Sequence, residues 1–220
     1  MCYNKDMEND KIVIFDWGGI AIDLENHAEK YREATLKTLK TLGCKLSDEE
    51  IDVKWRKHRE TSDINAIADV EELKSWLLSC GEDLGFDADY DNFTTIFENN
   101  VLEIVPRHKE VADYAGSLKN RCKNGILSNL AIFHKNIISQ HYNFEDFDKV
   151  YLSYELGMSK PDHKIYQYIE KDLGLPPDKI LFIDDDEKNI IGARECGWHV
   201  CHATGHELDK IKSSVEDFLA

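Results

Sequence analysis

The 220-residue sequence predicts an α/β fold in which a parallel sheet carries helices on both faces. Two apolar runs, residues 11–16 and 180–183, lack the alternation of half-exposed strands and are typical of strands buried on both sides. After Pro106, further short apolar runs alternate with segments of helical period, as in a parallel sheet. Residues 23–104 contain helical patterns only. The order of these segments predicts one sheet with a helical insertion after its first strand.

Four helices are predicted inside the insertion from apolar residues spaced three or four apart. Gly43 is expected to stop the first helix, a capping box from Ser47 to Glu50 to start the second, and Gly81 to end the third. The marker residues are, in order, Tyr31, Thr35, Leu39 and Leu42; Ile51, Trp55 and His58; Val70, Leu73, Trp76 and Leu77; and Phe93, Ile96, Phe97, Val101 and Ile104.

The remaining elements alternate between helix and strand. Proline is favoured in the first turn of a helix, so Pro161 is placed there, and Gly174 is expected to close that helix. The other predicted elements are helices at about 109–121, 187–196 and 206–219, a helix after residue 129, and strands at 125–129, 149–153, 180–183 and 198–203. Parallel sheets bind ligands at the carboxyl ends of their strands, so the residues that follow each strand are the candidates for function.

Composition excludes several classes of protein. With 27 basic and 43 acidic side chains the net charge is −16, which argues against a nucleic-acid surface. The sequence has no apolar run of transmembrane length and no signal-peptide pattern, so we expect a cytoplasmic protein that binds no membrane. The six cysteines are expected to be reduced, and the Cys and His residues near the carboxyl terminus match no zinc signature. We expect a monomer or a weak homodimer.

Carboxylates follow two of the predicted strands. Asp16 ends the first strand, and Asp184 and Asp185 follow the strand at 180–183. Carboxylates gathered at one sheet edge repel each other unless a cation binds among them, and Mg²⁺ prefers oxygen ligands. The sequence therefore predicts a divalent-metal site with one aspartate free to act on a substrate.

Asp16 and three further residues, Ser128, Asn129 and Lys160, lie at predicted strand or helix ends and suit phosphoryl transfer from a monoester. The Asp16 carboxylate can attack phosphorus, and Lys160 can neutralise the phosphoryl group and position the nucleophile. The Ser128 hydroxyl, with the adjacent backbone N–H groups of Ser128 and Asn129, can hold phosphoryl oxygens. Asp16, Ser128 and Lys160 are thus the predicted catalytic residues, and Ser128, Asn129 and Lys160 the predicted substrate-binding residues.

The order Asp16-x-x-Gly19, Ser128-Asn129, Lys160-Pro161 and Asp184-Asp185-x-x-x-Asn189 resembles the haloacid dehalogenase (HAD) superfamily. The segment 151–166 is similar to its branch of sugar-phosphate phosphatases, such as glucose-1-phosphate phosphatase, and of the phosphatase domain of soluble epoxide hydrolase. The resemblance implies a Rossmann-like three-layer core, residues 1–22 and 105–220, with an inserted helical cap at 23–104.

The same resemblance implies roles for the site residues. Asp16 would be the nucleophile that forms an aspartyl-phosphate, and Ser128 and Lys160 would hold the phosphoryl group. Mg²⁺ would be bound by Asp16, by the backbone carbonyl of Gly18 and directly by Asp185, with Asp184 close by or bound through water. The implied function is a Mg²⁺-dependent phosphatase of small phosphorylated metabolites, sugar phosphates among them.

One position departs from the family pattern. Most phosphatases of the superfamily have an aspartate two residues after the nucleophile as general acid and base, and this chain has Gly18. Loss of such a group typically costs about 10²–10⁴ in rate. Asp23 is a candidate substitute, and activated leaving groups such as an anomeric oxygen would be preferred.

Two competing functions stay open on the sequence. A carbon–halogen hydrolase of the same fold needs no metal, and the acids at 184 and 185 argue against it. A catalytically weak member that binds a phosphorylated ligand or partner is the alternative favoured by Gly18. Two other features allow two interpretations. The basic run 54–59 could contact an anionic substrate or form a solvated helix face, and the solvated face is favoured. Trp17 could point to the mouth of the site or serve as an ordinary packing residue.

Overall fold

A computed structural model describes residues 10–22, 27–62, 67 and 69–220. Its centre is a five-stranded sheet in the order β3-β2-β1-β4-β5, and every pair of neighbouring strands is parallel. The strands are β1 (Ile12–Phe15), β2 (Lys123–Ser128), β3 (Lys149–Leu152), β4 (Ile180–Asp184) and β5 (His199–His202). The predicted α/β fold with a parallel sheet is confirmed.

Helices surround the sheet in the described part of the chain. They are α1 (His27–Thr41), α2 (Asp48–Thr61), α3 (Val70–Leu84), α4 (Tyr90–Ile104), α5 (Lys109–Ser117), α6 (Lys135–His141), α7 (Ser153–Leu156), α8 (His163–Leu173), α9 (Glu187–Glu195) and α10 (Leu208–Leu219). None of them, among the residues described, is long and apolar enough to cross a membrane.

The central strand β1 is buried on both faces, which explains its unbroken apolar sequence. Ile12 and Ile14 pack with α8 and α9 on one face. Val13 and Phe15 point to the other face, whose apolar cluster includes residues of α5, α6 and α10 and continues into α1 to α4. The molecule is therefore a three-layer sandwich to which the helical insertion adds on one side.

The insertion leaves and rejoins the core at a single place. Ile22 and Arg107 form an antiparallel bridge, and the backbone N–H of His108 donates to the carbonyl of Ala21. Inside the insertion, α1 packs along α4 and α2 against α3. The predicted capping box at Ser47 and Glu50 is present at the start of α2.

The predicted end of the third helix at Gly81 is wrong. Helix α3 continues to Leu84, and Gly85 provides the left-handed C-cap with φ 73°. Gly81 meets a packing requirement instead, because a Cβ there would lie 2.6 Å from the Cβ of Ala88.

The predicted position of Pro161 in the first turn of a helix is also wrong. Pro161 lies before α8, and the peptide bond between Lys160 and Pro161 is cis. Asp162 is the N-cap, and its side chain accepts a hydrogen bond from the backbone N–H of Lys164. The lysine therefore sits in the loop that leads to the helix.

Candidate active site

The carboxyl edge of the sheet brings the predicted site residues together. In the register of the sheet Phe15 lies opposite Ile183, so Asp16 and Asp184 leave adjacent strands at the same level. Oxygens of Asp16, Asp184 and Asp185 lie within 4.8 Å of one another. The other neighbour of β1 is β2, which ends at Ser128. The parallel pairing of β1 with β4 and β2 thus brings Asp16, Ser128 and the acids at 184 and 185, which belong to three separate sequence motifs, to one site.

Lys160 lies at the centre of this site. Its Nζ is 3.0 Å from Asp16 Oδ1 and 2.7 Å from Asp184 Oδ2, and it donates to the carbonyl of Leu127 at 3.1 Å. The side chain is 1% exposed. Burial by itself lowers the pKa of Lys160, but the nearby carboxylates of Asp16 and Asp184 outweigh it and raise the pKa above its ordinary value. The lysine therefore stays charged between two acids.

Asn129 holds the Lys160 loop. The Asn129 side chain accepts from the backbone N–H of Lys160 at 2.8 Å and donates to its carbonyl at 2.7 Å. Because the side-chain amide is occupied in this way, the predicted contact of Asn129 with substrate now depends on its backbone N–H.

Asp184 is the most fully bonded of the three acids. Its Oδ1 accepts from the backbone N–H of Asp186 at 2.8 Å, its Oδ2 from Lys160, and the Asn189 amide lies 3.1 Å from both oxygens. The predicted supporting position of Asn189 is therefore beside Asp184. These bonds fit an indirect role for Asp184 towards a metal better than direct ligation.

Asp16 has unmet acceptor capacity, and Asp185 lies close to it. The buried Oδ1 of Asp16 forms an ion pair with Lys160 but accepts no hydrogen bond from the described residues. Burial raises the pKa of Asp16 to about 6 although Lys160 lowers it, and Asp184 adds to the increase. Burial, with the charges of Asp16 and Asp184, raises the pKa of Asp185 to about 7. Burial and mutual repulsion disfavour the ionised form of these two neighbouring carboxyl groups. A bound cation would stabilise the ionised form in place of the protons, so the pair fits a cation site.

The turn after β1 fits the same group of acids. Tyr142 donates its hydroxyl to the carbonyl of Asp16 at 2.9 Å, which fixes the backbone at Asp16. Gly19 has φ 68°, and a Cβ there would lie 2.2 Å from Cγ of Asp185. Gly18 is under no such constraint, because its Cβ would meet only Asp16 Oδ2 at 3.7 Å. Asp23, the candidate substitute for the missing acid, lies outside the described residues.

A cavity of about 820 Å³ opens onto Asp16 between the sheet edge and the insertion. Its wall combines the site with residues of α1, α2 and α4. The lining residues are Asp16, Trp17, Gly18, Glu29, Tyr31, Arg32, Thr35, Ile51, Asp52, Trp55, Arg56, Arg59, Glu60, Phe97, Ser128, Asn129, Leu130, Phe133 and His134.

Two sequence-based interpretations change with this cavity. Arg56 and Arg59 line it, so the basic run 54–59 is only in part a solvated face. Trp17 lines it too and also packs, because its Nε1 donates to His141 Nδ1 at 3.1 Å and the two rings stack. The helical spacing of Asp52, Trp55, Arg56 and Arg59 was the available signal for the cavity face of α2. Among the residues described, the side chains grouped closely enough to hold a metal ion are those of Asp16, Asp184 and Asp185.

This protein thus has an α/β fold with a group of acids where the strands of its parallel sheet end, the usual place for ligands in such folds. The sequence pattern of the haloacid dehalogenase-like hydrolases matches residues 11–197 of the chain. The chain belongs to this family and is a hydrolase, which confirms the resemblance.

Individual relatives cover most of the chain. It is 26% identical over 200 residues to a D-ribitol-5-phosphate phosphatase from Bacteroides thetaiotaomicron, a match that spans 86% of this chain and 89% of the relative. It is 25% identical over 209 residues to an (S)-2-haloacid dehalogenase from Pseudomonas sp. (strain YL), with 93% and 88% of the two chains covered. A HAD family enzyme from B. thetaiotaomicron, crystallised as a mutant with magnesium and inorganic phosphate, has the same fold, with a TM-score of 0.69, 21% identity, and 90% and 95% of the chains covered.

Proposed function

We propose that this hydrolase is a Mg²⁺-dependent phosphatase of small phosphate monoesters, sugar and polyol phosphates among them. The observation that carries the proposal is the contact of the Asp16 carboxylate with Lys160 at 3.0 Å, beside Asp184 and Asp185. The phosphatase relative and the magnesium and phosphate bound to the structural neighbour support it.

In the proposed reaction, Asp16 attacks phosphorus, the P–O bond to the alcohol breaks, and an aspartyl-phosphate forms. Water then attacks the aspartyl-phosphate and releases inorganic phosphate. Lys160 offsets the charge of the nucleophile and the phosphoryl group, and Ser128 and the Asn129 N–H group hold phosphoryl oxygens. Because Gly18 carries no acid to protonate the leaving alcohol, activated esters react fastest.

The proposed ligands of Mg²⁺ are Asp16, Asp185 and the carbonyl of Gly18, with Asp184 acting through water. When bound, the ion reduces the repulsion between the anionic nucleophile and the anionic ester. We also propose that residues 23–104 act as a cap over a core of residues 1–22 and 105–220. The junction at Ile22 and Arg107 and the cavity wall shared by both parts support this division.

The direct test is hydrolysis of p-nitrophenyl phosphate with Mg²⁺ and with EDTA. We expect metal-dependent turnover that falls on the order of 10³-fold or more in Asp16→Asn, which keeps the shape of the side chain but removes the nucleophile. Asp186→Asn is the matched control, because Asp186 is an exposed N-cap outside the acid cluster and asparagine also caps helices. Equal turnover with Mg²⁺ and EDTA, or an active Asp16→Asn protein, would contradict the proposal.

A second candidate function follows from the (S)-2-haloacid dehalogenase relative. In that case Asp16 would displace halide from carbon, and the reaction would proceed in EDTA. Chloride release from 2-chloropropionate, measured beside the phosphatase assay, separates the two activities. Binding of phosphorylated compounds without either turnover would favour the catalytically weak binding protein.

A further inference from the structure

The cavity above Asp16 contains two arginines for which the proposed phosphoryl transfer has no use. Arg56 and Arg59 lie on α2 and line the same cavity as Asp16 and Ser128. With Asp52 and Trp55 they follow the i, i+3, i+4, i+7 spacing of one helix face, so α2 directs a defined face to the cavity.

Other basic side chains of this region already contact acids. Arg32 Nε lies 2.7 Å from Asp52 Oδ2, Lys54 forms an ion pair with Asp83, and His58 Nε2 lies 3.2 Å from Asp83 Oδ2. Arg56 and Arg59, by contrast, form no ion pair with the residues that the structure describes. Among the residues described, no acid therefore competes with a ligand for these two arginines through an ion pair.

Two carboxylates, Glu29 and Glu60, also line the cavity, and neither forms an ion pair with the arginines. Arg59 nevertheless acts on the cavity wall: burial raises the pKa of Tyr31, and the Arg59 charge opposes that increase. The positive charge of Arg59 therefore reaches the part of the wall that Tyr31 forms.

The remaining wall of the cavity suits an organic group larger than a phosphate. Trp17, Trp55, Phe97 and Phe133 contribute aromatic rings, and about 820 Å³ lies in the range of pockets that enclose whole small molecules. A substrate that reaches Asp16 with its phosphoryl group therefore has a further part beside α2.

We propose that Arg56 and Arg59 form a second anion subsite, and that the preferred substrate is a phosphate monoester bearing a second anionic group, a carboxylate or a phosphate. This inference rests on the proposed phosphatase function. The guanidinium group presents a planar fork that pairs with both kinds of anion. In a chain of net charge −16, a doubly anionic substrate requires cations of this kind close to its binding site. A polyol phosphate has no such second group, so this subsite would separate the substrate of this chain from that of its D-ribitol-5-phosphate phosphatase relative.

The test compares matched substrates on one preparation of protein. 6-Phosphogluconate differs from sorbitol 6-phosphate by a carboxylate in place of a hydroxymethyl group, and fructose 1,6-bisphosphate differs from fructose 6-phosphate by a second phosphate. We expect kcat/KM of the wild-type protein to favour the doubly anionic member of at least one pair by about tenfold or more. The ratio within a pair does not depend on the fraction of folded protein.

Substitutions in α2 test whether the two arginines cause the preference for the doubly anionic substrate. Arg56→Gln and Arg59→Gln are each expected to lower the ratio by about tenfold, mainly through a higher KM for the doubly anionic substrate. Lys57→Gln removes the same charge from the same helix at an exposed position outside the cavity wall, and is expected to leave the ratio unchanged.

A wild-type ratio near one in both pairs, or a ratio unaffected by both arginine substitutions, would overturn the second subsite while leaving the phosphatase proposal intact. Failure to hydrolyse p-nitrophenyl phosphate with Mg²⁺ would instead contradict the proposed function. In that event calorimetric affinities for 6-phosphogluconate and sorbitol 6-phosphate, measured on the wild-type and Arg56→Gln proteins, decide the subsite: preference for the acid that is lost in the variant supports it, and equal affinities overturn it.

Discussion

Lys160 is the residue on which the charge balance of the site depends. It is buried, and it contacts carboxylates that leave two adjacent strands, Asp16 from β1 and Asp184 from β4. Its Nζ also lies over the Phe182 ring, 5.1 Å from the ring centre, in a cation–π contact. Removal of one partner from a buried group of charges typically costs about 3–5 kcal/mol, because the remaining charges are left without compensation.

We therefore predict that Lys160→Met lowers the melting temperature by about 6–20 °C at pH 8 in EDTA. Methionine keeps the length of the side chain but leaves Asp16 and Asp184 unpaired. Differential scanning calorimetry measures the shift. Lys164→Met is the control, because the Lys164 side chain is 77% exposed and its Nζ lies 3.8 Å from Asp162, so a change of about 1–2 °C is expected. Equal shifts in the two variants would show that the buried charges are not coupled as described.

The two adjacent glycines after Trp17 differ in their constraints. Gly19 combines a left-handed φ of 68° with direct contact to Asp185, whereas Gly18 has neither restriction. The absence of an aspartate at Gly18 is therefore not imposed by the backbone or by lack of space for a Cβ.

These constraints predict different effects on stability for alanine at the two positions. Gly18→Ala should change the melting temperature by no more than about 2 °C. Gly19→Ala should lower it by several times that amount and weaken stabilisation by Mg²⁺, because the added methyl group must displace Asp185. Thermal unfolding with Mg²⁺ and with EDTA measures both effects. Similar behaviour of the two variants would contradict the close approach of Gly19 to Asp185.

At the scale of elements, the parallel pairing of β1 with β4 brings the acids together. Holding them ionised at this edge lowers the stability of the folded protein. Each strand delivers a carboxylate to the same edge, and burial raises the pKa of Asp16 to about 6 and of Asp185 to about 7. The folded protein without metal therefore binds more protons than the unfolded chain between about pH 4 and pH 7. Its stability from these groups is present at low pH and is lost as the pH rises through the folded pKa values.

Comparison with Asp185→Asn isolates this contribution. In EDTA the variant and the wild-type protein should melt at similar temperatures near pH 4, and the variant should melt higher by about 4 °C or more at pH 8. His141, whose pKa is lowered to about 4 by burial and by Arg107, contributes equally to both proteins and cancels in the difference. Addition of Mg²⁺ at pH 8 should reverse the order, since the ion favours the ionised carboxylate.

The exposed neighbour Asp186 provides the control for this series. Asp186→Asn should differ from the wild-type protein by a similar amount at pH 4 and at pH 8, because that side chain lies outside the cluster. A difference between Asp185→Asn and wild type that is constant across pH would mean that Asp185 ionises normally in the folded protein.

At the scale of the whole molecule, the insertion converts an open sheet edge into a cavity. The sheet contributes Asp16, Ser128 and Asn129, and α1, α2 and α4 contribute the opposite wall. The apolar cluster on one face of the sheet continues into these helices, so the cavity wall and the core are packed as one body. A chain of net charge −16 thereby places arginines in the wall of the cavity that opens onto Asp16.

The order of elements and the site motifs could be predicted because each depends on local information. Hydrophobic period separates the buried strands from the amphipathic helices, and the carboxyl ends of parallel strands must meet at one edge. The errors at Gly81 and Pro161 have a different origin. In both cases a residue that usually marks a helix end is used for tertiary packing or loop geometry instead, and another residue, Gly85 or Asp162, forms the cap.

The sequence by itself determined the α/β class, the helical insertion and the convergence of Asp16, Ser128 and the acids at 184 and 185, because the carboxyl ends of parallel strands meet at one edge of the sheet. Only the tertiary structure decided how the Lys160 loop reaches this edge, how the Asn129 side chain is used, and that Arg56 and Arg59 line the same cavity as Asp16. The physical reason is that these properties depend on side-chain contacts between segments far apart in the chain.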